Sequence, residues 1–369
     1  MRSPAFEIVA TLGPASFALA RELAAAGATA LRLIASHLSA EDLARRAVQA
    51  HEGAPDLPLV VDLQGAKMRV GDIVERPLAV GARVRFAVAA ASPADVPLPH
   101  PELFAAAEVG ATLGCDDGRL SFAVRARGEE WLEAEALVAG VLRPRKGVNL
   151  LDHPVRLSGL TPGDAARLEA VRGLSGLQVA WSFMLDGREA DWVHARVPGT
   201  PVIAKVERRE ATLAIAEIAA RVDALWVCRG DLGEQLGPGD LGRFVGALAP
   251  ADLRCPVLMA GQVLEHLTAH AEPTRSEVCH LYDLLARGYA GIVLSDEAVA
   301  LLHERTEGWV AGLRLAAISL AEHPDPERFV CDFSGSERNV AGYLRTQVLD
   351  RQPPEVGELL WRTSILDRV

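Results

Sequence analysis

Lys205 and Glu207 stand two residues apart in the stretch VIAKVERRE (202–210), an apolar run that ends in charge. In an extended strand, residues two apart project to the same face, so an ammonium and a carboxylate share one direction at the strand's end. Lysine is scarce in this chain: of 38 Lys plus Arg, only Lys67, Lys146 and Lys205 are lysine. Arginine is a planar fork, whereas lysine is a compact point charge that can rest on a single oxygen. Three further run ends carry comparable groups. VCRGDLG (227–233) presents Arg229, Gly230 and Asp231; RLIASH (32–37) presents Arg32, Ser36 and His37; DLQGAKMR (62–69) presents Asp62, Lys67 and Arg69. Two carboxylates, Glu207 and Asp231, suit a hard divalent cation that takes oxygen ligands, such as Mg2+, with lysine and arginines beside it for phosphate. The same residues read equally as ion pairs at strand ends.

Other chemistries find less support. His37 and His266 read as ordinary polar histidines, and Ser36 has no partner at a spacing that suggests nucleophilic catalysis. No GxxxxGK[ST] loop occurs, and no phosphate loop of the Walker or Rossmann kind is expected. The five cysteines are scattered, with no CxxC pair, which points to reduced thiols rather than a disulfide framework or a zinc site. A net charge of -11 and 5% aromatic residues argue against nucleic acid as a partner. The start, MRSPAFEIVATLGPAS, makes a poor signal peptide, and no apolar run reaches membrane-spanning length, so a cytoplasmic protein without a membrane partner is expected.

The elements that must position these groups alternate. Candidate strands lie at 6–12, 29–35, 57–63, 177–183, 201–206, 224–228, 256–260 and 290–295, with alanine-rich helical patterns such as 18–27, 210–222 and 276–288 between most of them. Strands that are apolar throughout, each followed by a helix, predict a parallel sheet covered on both faces. Eight units predict an α/β fold, a (β/α)8 TIM barrel with its working groups at the C-terminal strand ends; a doubly wound open sheet is the alternative. The barrel is expected from 1–71 and 148–299. Between them, 72–147 is richer in Pro and Val, with short alternating runs at 82–88 and 120–126 and a DDG turn signal at 116–118, and predicts a small inserted β domain after the third strand. From 300 to 369 the alternation stops and an all-helical tail is expected.

In order and along residues 6–299, these motifs resemble the pyruvate kinase family. IVATLGPAS resembles its first strand, LRLIASH its RLNFSHG segment, VVDLQGAKMRVGD its DLQGPK-type third strand, and KGVNL (146–150) the end of its lid domain. IAKVERRE resembles SKIENQEG, VCRGDLG resembles VARGDLG, and PTRSEV and VLSDEA resemble PTRAEV and MLSGETA. The resemblance implies phosphoryl transfer from phosphoenolpyruvate to ADP, giving pyruvate and ATP, with Mg2+ or Mn2+ as cofactor. By it Lys205 neutralises the phosphoryl group in flight, Arg32 and Arg69 lie near that group, Glu207 and Asp231 hold the metal, and Gly230 receives the substrate carboxylate. Asp231, Gly261 and Ser36 would also face substrate, and Lys146 falls at the hinge of the lid. Many members carry glutamate where Lys67 stands and bind K+. Here the neighbouring asparagine and threonine positions are Ile34 and Leu63, while Asp62 and Ser36 remain, so Lys67 with Asp62 would substitute for the monovalent cation and no K+ requirement is expected.

The chain also departs from that family. Gly261 stands where the motif ATQMLES has threonine, Arg208 where KIEN has asparagine, and Asp296 where SGET has glycine. The tail at 300–369 resembles instead the helical segment of LuxR-type, maltose-regulator-like transcription activators, and no activity is assigned to it. A homo-oligomer is left open. Two other functions stay in view: a metal-dependent lyase or decarboxylase working through pyruvate enolate, and a catalytically silent metabolite-binding barrel signalling through the tail.

Overall fold

The computed structural model describes residues 6–296 apart from 117, 153–154, 269 and 271–272; the expectations for the tail lie outside the described residues. Eight parallel strands close a barrel: β1 (Glu7–Leu12), β2 (Ala30–Ile34), β3 (Leu59–Leu63), β4 (Leu177–Trp181), β5 (Val202–Val206), β6 (Ala224–Cys228), β7 (Val257–Ala260) and β8 (Gly291–Leu294). Each strand pairs with its neighbour in sequence, and β8 returns to β1, with Glu7 opposite Gly291. Every strand falls within a predicted one.

The strands are apolar throughout because both faces are covered. One residue from each strand fills the barrel interior: Val9, Ala30, Val60, Ala180, Ile203, Trp226, Leu258 and Val293. Their neighbours, such as Ile8, Leu31, Val61, Val202 and Leu225, face the surrounding helices. Alternation with period 2 then dictates what lies above that interior layer. Two residues further along come Thr11, Arg32, Asp62, Ser182, Lys205 and Cys228, so the barrel carries a polar layer on an apolar plug. All but Arg32 are buried.

The helical patterns are mostly in place, at Ala20–Ala25, Ala40–Gly53 and Arg275–Ala286, the last opened by a reciprocal cap between Thr274 and Glu277. The run predicted at 210–222 instead forms two pieces, Arg209–Leu213 and Ile215–Ala219. Thr212 Oγ1 donates back to Arg209 O at 2.7 Å, a side-chain bond that competes with a continuous helix. GPGDLG (237–242) has the spacing of a dinucleotide loop. However, Gly237 joins the helix Arg229–Leu236 to Pro238–Ala247 rather than a strand to a helix, so it forms no phosphate cradle.

The inserted domain is a seven-stranded sheet in the spatial order Met68–Arg69, Gly147–Leu150, Thr112–Cys115, Leu120–Arg127, Trp131–Ala136, Arg83–Ala87 and Val96–Pro97, beside a pair formed by Arg76–Leu78 and Gly140–Leu142. It therefore recruits strands on both sides of the 72–147 interval, and it has its own core around Phe86, Phe104 and Phe122. The turn beginning at Asp116 joins Thr112–Cys115 to Leu120–Arg127, not the runs at 82–88 and 120–126; Asp116 sits at φ 56, in the left-handed region. Among the described residues no helix is long and apolar enough to cross a membrane.

Candidate active site

Lys205 is the centre of the polar layer. Its Nζ lies 3.0 Å from Glu207 Oε1 and 3.1 Å from Asp62 Oδ2, and it donates to Ser182 Oγ at 2.9 Å. The shared direction expected for Lys205 and Glu207 is thus realised. Burial works against the ammonium, but Asp62 and Glu207 outweigh it and raise its pKa, so Lys205 is charged throughout the working pH range. Asp62 also accepts from Arg32 Nε at 3.0 Å, and Arg32 Nη1 donates to Thr11 Oγ1 at 3.1 Å. Burial raises the Asp62 pKa, but Lys205 and Arg32 overcome this and hold it below the usual carboxylate range. The Arg32 guanidinium lies 5.5 Å from the Trp226 ring centroid, on top of the interior plug.

A second cation–carboxylate pair stands beside this one. Lys67 Nζ donates to both Asp231 oxygens, each at 2.7 Å. The Glu207 pKa is raised by burial, against the pull of Lys205 and with the push of the Asp231 charge. Two carboxylates that repel each other across a buried space, with hard oxygen donors, fit a divalent cation that completes its shell with substrate oxygens. Burial also works on Asp231, but Lys67 prevails and keeps it ionised.

Next to these carboxylates a helix begins at Arg229, and a helix N-terminus favours an anion. Cys228 ends β6 and gives no side-chain cap to the helix Arg229–Leu236, so the first N–H groups of that helix face the site with the positive end of its dipole. A Cβ at Gly230 would meet nothing within 4 Å, so the space above it is open. Gly261, at φ 79, bends the loop after β7 so that a Cβ there would lie 3.4 Å from Gly230 N and 3.5 Å from Arg229 N. Arg229 clamps the loop by donating to Gly261 O through Nε (2.9 Å) and Nη2 (2.7 Å). A threonine at this backbone conformation would be strained, so the glycine matches the loop it sits in.

The remaining expected residues are placed as follows. Arg69 donates through Nη1 to Arg145 O at 2.9 Å, and its charge acts on both Asp231 and His37. Ser36 lies on the turn Ala35–His37 after β2, outside the hydrogen bonds that build the cluster. Lys146 pairs with Asp116 at 2.8 Å within the β domain, next to the returning strand Gly147–Leu150. Sequence grouped Lys67 with Asp62; in the structure Asp62 serves Arg32 and Lys205, and Lys67 turns to Asp231. Gly65, at φ 54, lies in the loop after β3 that carries Lys67, so close to β4 that a Cβ would lie 2.2 Å from Ser182 O.

Sequence reasoning missed Thr11, Ser182 and the Phe183 N–H, which donates to Glu207 Oε2 at 2.8 Å. It also set His37 aside. Burial lowers the His37 pKa, helped by Arg69, Lys67 and Arg32, which puts a neutral imidazole beside the cation cluster. Counting inward positions by two would have found Thr11 and Ser182.

Asp164 supports the loop that carries Lys67. It is fully buried and accepts from Gly65 N at 3.0 Å and Gln64 N at 3.2 Å. Asp164→Ala leaves both donors unpaired, and a destabilisation of about 2–4 kcal/mol is expected in urea unfolding. A change under about 0.5 kcal/mol would mean the loop holds itself.

A family model described as pyruvate kinase, barrel domain, matches residues 3–302. A pyruvate kinase of Agrobacterium vitis is 36% identical over 310 residues, covering 79% of this chain and 65% of its own length. Pyruvate kinase II of Salmonella typhimurium is 30% identical over 315 residues, covering 80% of this chain and 66% of its own. The chain thus spans between about half and two thirds of the length of the curated relatives it matches. The crystal structure of pyruvate kinase from Pyrobaculum aerophilum shares the fold, with a TM-score of 0.70 at 23% identity over 85% of this chain and 74% of that one. With the barrel, the inserted β domain and the matched sequence in agreement, this chain belongs to the pyruvate kinase family.

Proposed function

We propose that this chain transfers a phosphoryl group from phosphoenolpyruvate to ADP, giving pyruvate and ATP. The observation that supports it most is the position of Lys205: a buried, permanently charged ammonium at the barrel mouth, within 3.1 Å of Asp62 and Glu207 and beside the Lys67–Asp231 pair. Phosphoryl transfer asks a protein mainly for positioning and charge neutralisation. Lys205 and Arg32 meet the charge of the transferring group, and Arg69 adds its field from the rim. The N–H groups at Arg229–Asp231 receive the substrate carboxylate. Glu207 and Asp231 would hold Mg2+ or Mn2+, whose chemistry is to neutralise phosphate oxygens.

Lys67 supports the further reading that no K+ is needed, because its ammonium already provides a monovalent positive charge on Asp231. Gly261 favours a second reading, since a site without a hydroxyl there is poorer in proton donors for the enolate; a metal-dependent enolate lyase would need neither ADP nor Lys205 as a phosphoryl clamp.

The test is ATP formation from phosphoenolpyruvate and ADP with Mg2+, with and without K+. Turnover abolished by chelation and indifferent to K+ is expected. Pyruvate released from oxaloacetate with no ATP made from phosphoenolpyruvate would replace the kinase by the lyase.

A further inference from the structure

Arg208 follows Glu207 directly and therefore points away from the site. It is nevertheless buried, at 5% exposure, and burial lowers its pKa below that of an ordinary arginine. A guanidinium is expensive to keep out of water unless its donors are used. Its Nε donates to Glu210 Oε2 at 3.1 Å, and its Nη1 reaches Val155 O at 3.2 Å and Phe183 O at 3.5 Å. Val155 belongs to the connector that brings the chain back from the β domain to the barrel.

Phe183 is the joint that Arg208 braces. It is a non-glycine residue at φ 57, a conformation that persists only when its surroundings impose it. Its ring is packed in the β-domain core, 5.8 Å from Lys67 Nζ, while its N–H holds Glu207 Oε2. Beside Arg208 lies a cavity of about 20 Å³ lined also by Val155, Arg156, Glu189 and Trp181. Glu189 is buried and spends Oε1 on Leu185 N at 2.7 Å; its Oε2 has no hydrogen-bond partner among the described residues. The Glu189 carboxylate, held by Leu185 N, also adds compensating charge to Arg208, after the nearer Glu210.

We propose that Arg208 is a positioning residue for the divalent-cation site: by holding the Val155 connector and Phe183 O, it aims the Phe183 N–H at Glu207 Oε2 and so fixes the orientation of that carboxylate, whose other oxygen faces Lys205. The inference rests on Glu207 and Asp231 being the cation ligands. It also assigns a purpose to an arginine that replaces an asparagine, namely tying the seating of the β domain to the cation site.

Mn2+ binding to the full chain, followed by electron paramagnetic resonance, tests it beside thermal unfolding. Arg208→Met is expected to weaken Mn2+ binding about tenfold, and Arg208→Lys, which keeps a donor for Val155 O, to fall between. If Arg208→Met does not fold, Arg208→Lys alone reads the same quantity against the wild type. Mn2+ bound as tightly by the variants as by the wild type, whatever their melting temperatures, overturns the proposal. A wild type that binds Mn2+ but forms no ATP removes the kinase reading and leaves Arg208 in place; a wild type that binds no Mn2+ overturns both.

Discussion

Lys205→Ala is expected to lower ATP formation by roughly 10³-fold, in the range seen when one preorganised charge is removed from a transition state. The geometry separates this from simple unfolding. Removing the ammonium leaves Asp62 and Glu207, both nearly inaccessible, without their shared cation. Breaking a buried pair costs on the order of 3–5 kcal/mol, but here the loss is partly relieved. Arg32 still holds Asp62, and Glu207, whose proton is already favoured by burial, can take one up. A folded but less stable variant is therefore expected. Lys205→Arg restores the charge without the point contact, so it should recover much of the melting temperature and little of the rate. A Lys205→Ala enzyme retaining a tenth of wild-type turnover would remove Lys205 from the chemistry.

The same balance sets the sign of the pH response. A raised Glu207 pKa means its proton persists to higher pH than an ordinary glutamate's, and only the carboxylate binds the divalent cation. Cation affinity should fall on acidification, beginning above the range of an unperturbed glutamate. The Lys205 pKa is also raised, by Asp62 and Glu207 against the effect of burial, so it contributes no alkaline limb near neutrality.

What was legible in the sequence follows from period. The barrel strands announce themselves because both faces are apolar, and Lys205 and Glu207 share a direction because strands alternate. Those two rules picked out Arg32, Asp62, Lys205 and Glu207, and the same count by two, carried along every strand, also reaches Thr11 and Ser182, which sequence reasoning passed over. The Phe183 contribution is a backbone N–H set by a left-handed φ in a non-glycine residue, which no residue type marks. Sequence named Lys67 and Asp62 together at the monovalent-cation position without giving Lys67 a partner; the structure sets its ammonium on Asp231. The helix divides at Ala214, two residues after Thr212 turns its hydroxyl back onto Arg209 O. For the Phe183 N–H, local backbone geometry rather than composition was the missing information.

Lys67→Glu should convert the enzyme from indifference to K+ into dependence on it. The ammonium now sits 2.7 Å from both Asp231 oxygens, with Asp231 at 13% exposure and Glu207 more buried still. A carboxylate in its place would face two others, and like charges about 4 Å apart repel by around 4 kcal/mol at an effective dielectric constant of 20. Without a cation to neutralise it, ATP formation should drop by about 10²-fold or more, since anionic substrates meet the same excess charge. K+ at about physiological concentration, attracted to the added oxygens, should recover at least tenfold of that loss. Lys67→Met separates charge loss from ligand gain: it removes the ammonium but supplies no oxygen, so its defect should be smaller and K+ should not repair it. Wild-type turnover that itself requires K+, or a Lys67→Glu enzyme fully active in its absence, would show that the Lys67 ammonium does not stand in for the monovalent ion. The Lys67–Asp231 pair would then be a structural tie between the loop after β3 and the helix after β6.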